Sequence, residues 1–238
     1  MITDRIFNED CLKGLASIPD KSIDLAILDP PYYFGENTKG ASHFGNRPVY
    51  HEIANINGMV NEDVLNEVMR VLKTPNLYIW CNKKQLGPYI SYFEGHGCLT
   101  DLLTWHKTNP TPATSNNYIA DTEYCLFFRK NARLYGDYDS LKKYWITPVN
   151  ITDKKAWGHP TIKPLSIIQQ LIKNSTRGGD IVLDPYLGSG TTALACKSLG
   201  RHYLGYEINP DYFKIAQARL KTVSVTLADW LAPEGAIQ

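Results

Sequence analysis

The residues best suited to chemistry in this chain follow a short apolar run near the N terminus. Residues 23–28 are typical of a buried strand, and Asp29, Pro30, Pro31 and Tyr32 follow at once. The prolines lack an N–H group and stiffen the turn, so their carbonyl oxygens become fixed acceptors beside the Asp29 carboxylate. Acceptors around one point, next to an aromatic ring, suit an exocyclic amino group on a planar base. A rigid turn that caps a core strand is the alternative interpretation.

A second candidate site follows a later strand, predicted over residues 181–183. The loop Asp-Pro-Tyr-Leu-Gly-Ser-Gly at residues 184–190 leads into a helix. Glycine lets a ligand approach the backbone closely, and a helix N-terminus offers free N–H groups. Glu207 ends the next strand 17 residues after Gly190. An acidic residue near that separation suits the hydroxyl pair of a ribose.

Three ligands fit this strand, loop and helix to different degrees. A phosphate-binding P-loop requires lysine directly after its second glycine, where this chain has Thr191. A dinucleotide motif expects a third glycine, where this chain has Ala193. S-Adenosylmethionine requires the acidic residue and the close loop but no pyrophosphate site. A plain strand–turn–helix without a ligand is the remaining alternative.

Short apolar runs that alternate with helical patterns must position these loops. Strands are predicted over residues 23–28, 77–81, 99–106, 124–128, 181–183 and 203–206. Helices are predicted over residues 62–72, 164–174, 191–199 and 210–220. This alternation predicts βαβ units and a mostly parallel sheet. Two stretches without clear periodicity, residues 35–60 and 131–158, are expected to be a mobile loop and a functional loop.

These motifs resemble those of the amino-methylating DNA methyltransferases. The catalytic motif of that family is Asp/Asn/Ser-Pro-Pro-Tyr/Phe, and its cofactor loop is similar to residues 184–190. The catalytic motif comes first here, as in the β group of the family, and residues 158–164 resemble that group's His-Pro-Thr-x-Lys-Pro motif. Residues 8–11, 105–107 and 122–128 resemble further family segments. Tyr186 departs from the pattern, since the family usually has phenylalanine there.

The resemblance implies a fold and a reaction. The fold would be a circularly permuted, Rossmann-like α/β methyltransferase domain over residues 1–238, with a mostly parallel sheet, helices on both faces and a short target-recognition insertion at 131–158. The reaction would be site-specific methyl transfer from S-adenosylmethionine to a DNA base flipped out of the duplex. Asp29 at the first motif position favours adenine N6. Serine there would favour cytosine N4, which remains the alternative base.

Two other classes of protein use similar motifs. A relative that only binds DNA would be expected to lack Asp29 or the glycine loop. Methyltransferases acting on RNA or on protein glutamine usually carry asparagine at the first motif position and place the cofactor loop first. The residue type at Asp29 and the order of the motifs therefore favour a DNA-modifying enzyme.

The resemblance also assigns roles to residues. Catalysis falls to the tetrapeptide at 29–32. The expected contacts to S-adenosylmethionine are Asp10, Cys11, Asp29, His159, Thr161, Lys163, Asp184, Pro185, Gly188, Ser189, Gly190, Thr191, Thr192 and Glu207. Asp10 could instead cap a helix, Lys163 could be a solvated surface lysine, and His159 could be a hydrogen-bonded turn residue. The histidines and cysteines show no zinc-ligand spacing, so no metal site is expected.

The net charge of +1, from 25 basic and 24 acidic residues, argues against a polycation that coats nucleic acid. However, residues 1–36 carry three basic and seven acidic residues, whereas residues 129–163 carry eight basic and three acidic ones. The basic segment also contains Tyr135, Tyr138, Tyr144, Trp145 and Trp157. This mixture suits phosphate contact and base stacking. The predicted contacts to double-stranded DNA are Lys142, Lys143, Lys154 and Lys155, and a solvated loop is the alternative.

The cysteines and the N terminus bear on location. Five cysteines without a Cys-x-x-Cys pair predict free thiols in a reducing compartment. We see no signal peptide and no apolar run long enough to span a bilayer. These features predict a cytoplasmic protein without membrane contact. The resemblance leaves room for two further partners, a cognate restriction endonuclease and a second copy of the chain.

Overall fold

The computed structural model describes residues 3–32, 61–110, 118–158 and 162–222. The loop expected at residues 35–60 lies outside the described residues. So do His159 and Thr161, two of the predicted cofactor contacts.

Strands and helices alternate along the described residues, as predicted. The strands are β1 (Arg5–Phe7), β2 (Leu25–Leu28), β3 (Asn76–Cys81), β4 (Leu99–Lys107), β5 (Thr122–Arg129), β6 (Tyr144–Thr147), β7 (Ile181–Asp184) and β8 (His202–Tyr206). The helices are α1 (Cys11–Leu15), α2 (Glu62–Val71), α3 (Leu86–Gly95), α4 (Ile151–Trp157), α5 (Leu165–Ser175), α6 (Thr191–Ser198) and α7 (Pro210–Lys221). Every predicted element is present, with bounds that differ by at most two residues.

Several helices, α2 and α7 among them, begin where a side chain accepts hydrogen bonds from their free N–H groups. The Asn61 side chain accepts from Asp63 N at the start of α2, and Asn209 accepts from Asp211 N and Tyr212 N at the start of α7. The apolar residues of α2 recur at helical spacing, so one face is buried; they are Val64, Leu65, Val68 and Val71.

All eight strands form one sheet in the order β1-β8-β7-β2-β3-β5-β4-β6. The pairs from β1 to β3 are parallel, and β6 is parallel to β4. Only β5 runs the other way among these strands, because it is antiparallel to both β3 and β4. The predicted mostly parallel sheet is therefore confirmed.

Alternate residues of the strands point to two separate cores. Ala26, Leu28 and Ile79 pack with α1, α2 and α3 on one face. Leu25 and Ile27 pack with α5, α6 and part of α7 on the other face. A sheet covered on both faces explains why its central strands are apolar runs rather than alternating ones. No helix within the described residues is long and apolar enough to cross a membrane.

Ligands of open α/β sheets bind at the carboxyl ends of the parallel strands. Asp29 follows β2, the glycine loop follows β7, and Glu207 follows β8. The strand order places β2, β7 and β8 side by side. Both predicted loops therefore lie at one edge of the sheet, although 155 residues separate Asp29 from Asp184 in the sequence.

Candidate active site

Asp29 makes its closest ionic contact with Lys163, a residue from the segment that precedes α5. The Lys163 Nζ atom lies 2.8 Å from both carboxylate oxygens of Asp29 and donates to the Tyr32 hydroxyl at 3.2 Å. The Lys163 side chain is 7% exposed and the Asp29 side chain 26%. Lys163 is thus not the solvated surface lysine of the alternative interpretation, because its ammonium group is enclosed by the catalytic motif.

Glu123 supplies a second carboxylate to the same cluster. Its Oε2 atom lies 3.2 Å from Lys163 Nζ and accepts from the Tyr32 hydroxyl at 3.1 Å. Its Oε1 atom lies 2.7 Å from Nζ of Lys107, at the end of β4. Because β5 is antiparallel to its neighbours, the beginning of this strand reaches the edge of the sheet where β2 and β4 end. We call Asp29, Tyr32, Lys107, Glu123 and Lys163 the lysine–carboxylate cluster.

Burial and charge shift the pKa values in this cluster in opposite directions. Burial raises the pKa of Asp29 above its ordinary value, although Lys163 opposes this. Burial acts in the same direction on Glu123, but Lys163 and Lys107 outweigh it and lower the pKa to about 2. The two carboxylates raise the pKa of Lys163 against the effect of its burial. The cluster therefore holds a permanently charged lysine between its two carboxylates at neutral pH.

The turn of the catalytic motif is fixed from a neighbouring loop. The Gln85 side chain is almost fully buried, and its Nε2 atom donates to the Pro31 carbonyl oxygen at 3.3 Å. Its Oε1 atom accepts from Asn82 N at 3.2 Å. The loop after β3 thereby holds the loop after β2, and the Pro31 carbonyl oxygen, one of the two acceptors expected from the sequence, is occupied by Gln85.

The glycine loop after β7 is joined to Glu207. The Glu207 Oε2 atom accepts from Gly188 N at 2.8 Å, and Oε1 accepts from Asn209 N at 2.7 Å. Burial raises the Glu207 pKa, while these two N–H groups oppose the shift. A carboxylate oxygen has two lone pairs, so each oxygen keeps one for a further donor. That capacity is what a pair of ribose hydroxyls requires.

Gly190 adopts a left-handed backbone with φ of 83°, immediately before α6. A Cβ atom at this position would lie 2.9 Å from the Ala216 Cβ atom of α7, which is too close for two carbon atoms. Glycine is therefore required both by the backbone and by the packing of α7. Among the described residues no side chain caps α6, so none of them occupies the N-terminal N–H groups of this helix as a cap.

Arg219 of α7 supports the loop from behind. Its Nη1 atom donates to Ser189 O at 2.8 Å, to Ser189 Oγ at 2.8 Å and to Thr191 Oγ1 at 3.0 Å. Arg219 is 2% exposed, and its nearest carboxylate is Asp153 of α4 at 4.0 Å. This arginine fixes the loop conformation by hydrogen bonds rather than by a close ion pair.

Asp184 lies beneath the loop, where β7 ends. Its Oδ1 atom accepts from Tyr186 N at 2.9 Å, and its carboxylate also interacts with the Thr192 hydroxyl. Burial raises the Asp184 pKa to about 7. Pro185 follows in the loop, so five of the predicted cofactor residues, from Asp184 to Gly190, form one continuous turn.

The N-terminal segment packs against the same loop. Asp10 Oδ1 accepts from Leu12 N at 2.9 Å and from Lys13 N at 3.3 Å, so the helix-capping alternative for Asp10 is observed. The buried Cys11 thiol shares a hydrogen bond with Tyr186, and burial raises its pKa to about 11. The tyrosine that departs from the family pattern therefore has a partner in this chain.

The four lysines predicted to contact DNA lie in different surroundings. Lys142 pairs with Asp139 at 2.6 Å and Lys143 pairs with Asp101, so both positive charges are partly compensated. Lys154 is half-buried on α4, where burial lowers its pKa and the charge of Glu123 opposes this shift. Lys155 is exposed. Among these lysines, Lys154 is thus the one that faces the lysine–carboxylate cluster.

One of the aromatic residues expected to stack on bases belongs to the core instead. Trp145 is 9% exposed, contacts Trp80 with ring centroids 6.4 Å apart and donates from Nε1 to Gln170 Oε1 at 2.9 Å. It alternates with outward-facing neighbours on β6, as strand geometry requires. Tyr138 and Tyr144 are 87% and 51% exposed and remain accessible for stacking.

The family model N6_N4_Mtase, described as DNA methylase, matches residues 23–218. The chain belongs to this DNA methylase family. The matched span contains the catalytic motif, the lysine–carboxylate cluster and the glycine loop.

Individual relatives of this DNA methylase agree with the family assignment. The type II methyltransferase M2.DpnII of Streptococcus pneumoniae is 32% identical over 93% of this chain and 91% of its own length. Among solved structures, M1.HpyAVI in complex with S-adenosylmethionine has a TM-score of 0.69 at 24% identity, over 91% of this chain and 99% of that one. The cytosine-N4-specific PvuII methyltransferase has a TM-score of 0.70 at 16% identity, over 94% and 88% of the two chains.

These similarities confirm two predictions from the sequence. The methylase has the Rossmann-like α/β fold, and it is a DNA methyltransferase that uses S-adenosylmethionine. The roles predicted for individual residues stay predictions. The structure brings the residues after β2, β7 and β8 to one edge of the sheet, and it places the Lys163 ammonium group on Asp29.

Sequence reasoning did not assign a role to several residues of the methylase site: Gln85, Lys107, Glu123 and Arg219. Glu123 and Lys107 lay within segments noted for their resemblance to the family, but no chemistry was attached to them. A charged residue at the end of an otherwise apolar strand was the available signal. Gln85 and Arg219 gave no such signal, because each is an ordinary polar residue within a loop or helix pattern.

Proposed function

We propose that this protein is a site-specific DNA methyltransferase that methylates N6 of an adenine flipped out of double-stranded DNA. The observation that carries the proposal is Asp29, a carboxylate at the end of β2 and at the same sheet edge as the glycine loop. Aspartate at this motif position favours adenine, as the family resemblance implies.

The loop after β7 fits S-adenosylmethionine. Glu207 has free lone pairs for the ribose hydroxyls, and the uncapped N-terminus of α6 suits the cofactor carboxylate. The other residues proposed to hold the cofactor are Asp10, Cys11, Asp29, His159, Thr161, Lys163, Asp184, Pro185, Gly188, Ser189, Gly190, Thr191 and Thr192. When bound, S-adenosylmethionine supplies an electrophilic methyl group on a sulfonium sulfur.

The catalytic motif would act by orientation and electrostatics. Asp29 and the Pro30 carbonyl oxygen accept hydrogen bonds from the target amino group, which directs the nitrogen lone pair away from the ring. Asp29 then stabilises the positive charge that develops on the nitrogen. Extruding the base costs a few kcal/mol, and stacking on the Tyr32 ring returns about 1–3 kcal/mol.

Recognition of DNA is proposed for residues 131–158, through Lys142, Lys143, Lys154 and Lys155. The relatives named as type II methyltransferases support a place in a restriction-modification system with a cognate endonuclease. A cytoplasmic location, predicted from the sequence, and a second copy of the chain, for which the family resemblance leaves room, complete the proposal.

The proposal is tested by incubating the protein with plasmid DNA and methyl-labelled S-adenosylmethionine. Nucleosides from the product are then identified by mass spectrometry. N6-methyladenine is expected. N4-methylcytosine would overturn the choice of base, and an unmodified plasmid would overturn the catalytic function.

The role of Asp29 is tested with Asp29→Ala. We expect the methylation rate to fall by at least about 10²–10³-fold, the usual cost of removing one preorganised electrostatic contact in an active site. Cofactor binding, measured by calorimetry, should be partly retained. Glu94→Gln is the control, since Glu94 is exposed at the end of α3, before β4 begins. Substantial turnover by Asp29→Ala would contradict the assigned role.

A further inference from the structure

The acceptor that the target amino group requires is already in use. Lys163 Nζ contacts both oxygens of Asp29 at 2.8 Å, and an ammonium group has only three N–H donors. A base that donates to Asp29 must therefore share this carboxylate with Lys163 or displace the lysine from it. Lys163 has little room to leave, because its side chain is 7% exposed and lies over the rings of Tyr32 and Trp80, at 5.2 and 5.1 Å.

Glu123 offers Lys163 a second partner without a large movement. Its Oε2 atom is already 3.2 Å from Nζ and also accepts from the Tyr32 hydroxyl. Its Oε1 atom is held by Lys107, and the side chain is 19% exposed. The register of β5 against β4 pairs Glu123 with the buried Trp105, which fixes its backbone. A buried cation without a partner is strongly unfavourable, so such a second acceptor matters.

We propose that Glu123 is a positioning residue that retains Lys163 and the Tyr32 hydroxyl while Asp29 exchanges the lysine for the target amino group. The inference rests on the proposed function, since it concerns the same Asp29 carboxylate. Glu123 does not touch the reacting atoms. It keeps the ammonium charge near Asp29, and it fixes the tyrosine ring on which the base stacks.

A purely structural role for Glu123 would be met by any side chain that fills the same space, whereas the proposed role requires its negative charge. The groups that face Lys163 from the surrounding elements are Asp29 and Tyr32 after β2, Cys81 on β3, Glu123 and Cys125 on β5, and Lys154 on α4. Burial raises the pKa values of both thiols and of Tyr32, so Asp29 and Glu123 are the anions among them at neutral pH. Both raise the Lys163 pKa. Removing the charge of Glu123 therefore lets Lys163 lose its proton at a lower pH.

The experiment compares Glu123→Gln with the wild-type protein in plasmid methylation. We expect kcat to fall about 10²-fold while the KM for S-adenosylmethionine stays within twofold. Glu123→Asp keeps the charge, so it should recover much of the kcat that Glu123→Gln loses. Glu94→Gln again serves as the surface control.

Three outcomes would overturn the inference. They are wild-type kcat in Glu123→Gln, a loss of activity in Glu123→Gln that lies wholly in the KM for S-adenosylmethionine, and a kcat of Glu123→Asp as low as that of Glu123→Gln. Failure of the proposed function is distinguishable, because the wild-type protein would then leave the plasmid unmodified. Even in that case, the ¹³Cε chemical shift of labelled Lys163 at neutral pH tests the contact. A Lys163 shift that Glu123→Gln leaves unchanged would reject it.

Discussion

Asp184 shows at the scale of one residue how a buried carboxyl group supports a ligand loop. It is 4% exposed, and its neighbours Asp29 and Glu207 are also acidic, so its charged form is unfavourable. The Tyr186 amide and the Thr192 hydroxyl compensate only in part. Asp184 consequently holds a proton in the folded protein up to a pH near 7, whereas in the unfolded chain it loses that proton near pH 3.8.

This difference predicts a pH-dependent stability. The contribution of Asp184 is fully present below about pH 4 and is lost as the pH rises towards 7, since the unfolded chain releases the proton first. Asp184→Asn cannot ionise. The free energy of unfolding of Asp184→Asn minus that of the wild type should therefore increase between pH 4 and pH 8. The increase should be about 1.4 kcal/mol for each unit of pKa difference between the folded and unfolded states.

Urea unfolding of both proteins at several pH values measures this gain. Asp211→Asn is the matched control, because the Asp211 side chain is 80% exposed on the first turn of α7. A constant difference between wild type and Asp184→Asn across the whole range would contradict the prediction.

The residues of the site that the sequence revealed are those whose partners are local. The tetrapeptide at 29–32 and the glycine loop carry their chemistry within a few positions, so their residue types were sufficient. Glu123 and Lys163 acquire their roles from contacts that span 91 and 134 residues, to Tyr32 and Asp29. No pattern along the chain encodes a pairing of that kind, and only the order of the strands creates it.

At the scale of elements, α7 determines the shape of the cofactor loop. Ala216 packs against Gly190, and three residues further along the same helix Arg219 binds Ser189 and Thr191. This spacing places both contacts on one face of the helix. The helix was predicted from its periodicity at 210–220, but that periodicity did not show that a buried arginine would face the loop.

Arg219→Met should therefore weaken cofactor binding without removing any predicted cofactor contact. Three hydrogen bonds to the loop are lost, and a cost of about 1–2 kcal/mol for the loosened loop corresponds to roughly 5–30-fold in Kd. Calorimetric titration with S-adenosylmethionine measures the change. Lys214→Met on the same helix is the control, since its side chain is 72% exposed. Equal affinities for the wild type and Arg219→Met would show that the loop holds its shape alone.

Sequence periodicity missed the ten-residue helix α3 and the short elements. The short elements include β1 with three residues, α1 with five and β6 with four. Such lengths contain less than two turns of a helix or only one or two alternations of a strand, so periodicity gives no signal. β6 and α4 both lie within residues 131–158, which were expected to form one long loop. There tertiary pairing with β4 creates a strand from an aromatic and polar segment.

For the whole molecule, the near-neutral charge is the sum of segments with opposite charge. Residues 1–36 are acidic and residues 129–163 are basic. In the structure, the basic residues differ in whether a carboxylate compensates their charge. Lys142 and Lys143 form ion pairs with Asp139 and Asp101, so their positive charges are already partly compensated in the free protein. Lys154 and Lys155 lie on α4, and Lys154 faces the lysine–carboxylate cluster. The DNA-facing charge should therefore be concentrated on this helix.

The difference between the two lysine pairs predicts the salt dependence of DNA binding. Each phosphate contact contributes about 0.9 to the slope of log Kobs against log salt concentration. The double variant Lys154→Gln/Lys155→Gln should reduce this slope by up to about 1.8. The double variant Lys142→Gln/Lys143→Gln should reduce it less, because Asp139 and Asp101 already compensate those charges. Fluorescence anisotropy with a duplex at several salt concentrations measures both slopes.

Lys21→Gln is the control for this prediction. Lys21 is an exposed lysine before β2, at the opposite edge of the sheet, so its substitution should leave the slope unchanged. An equal reduction by the two pairs would place the DNA along the whole basic segment instead of on α4.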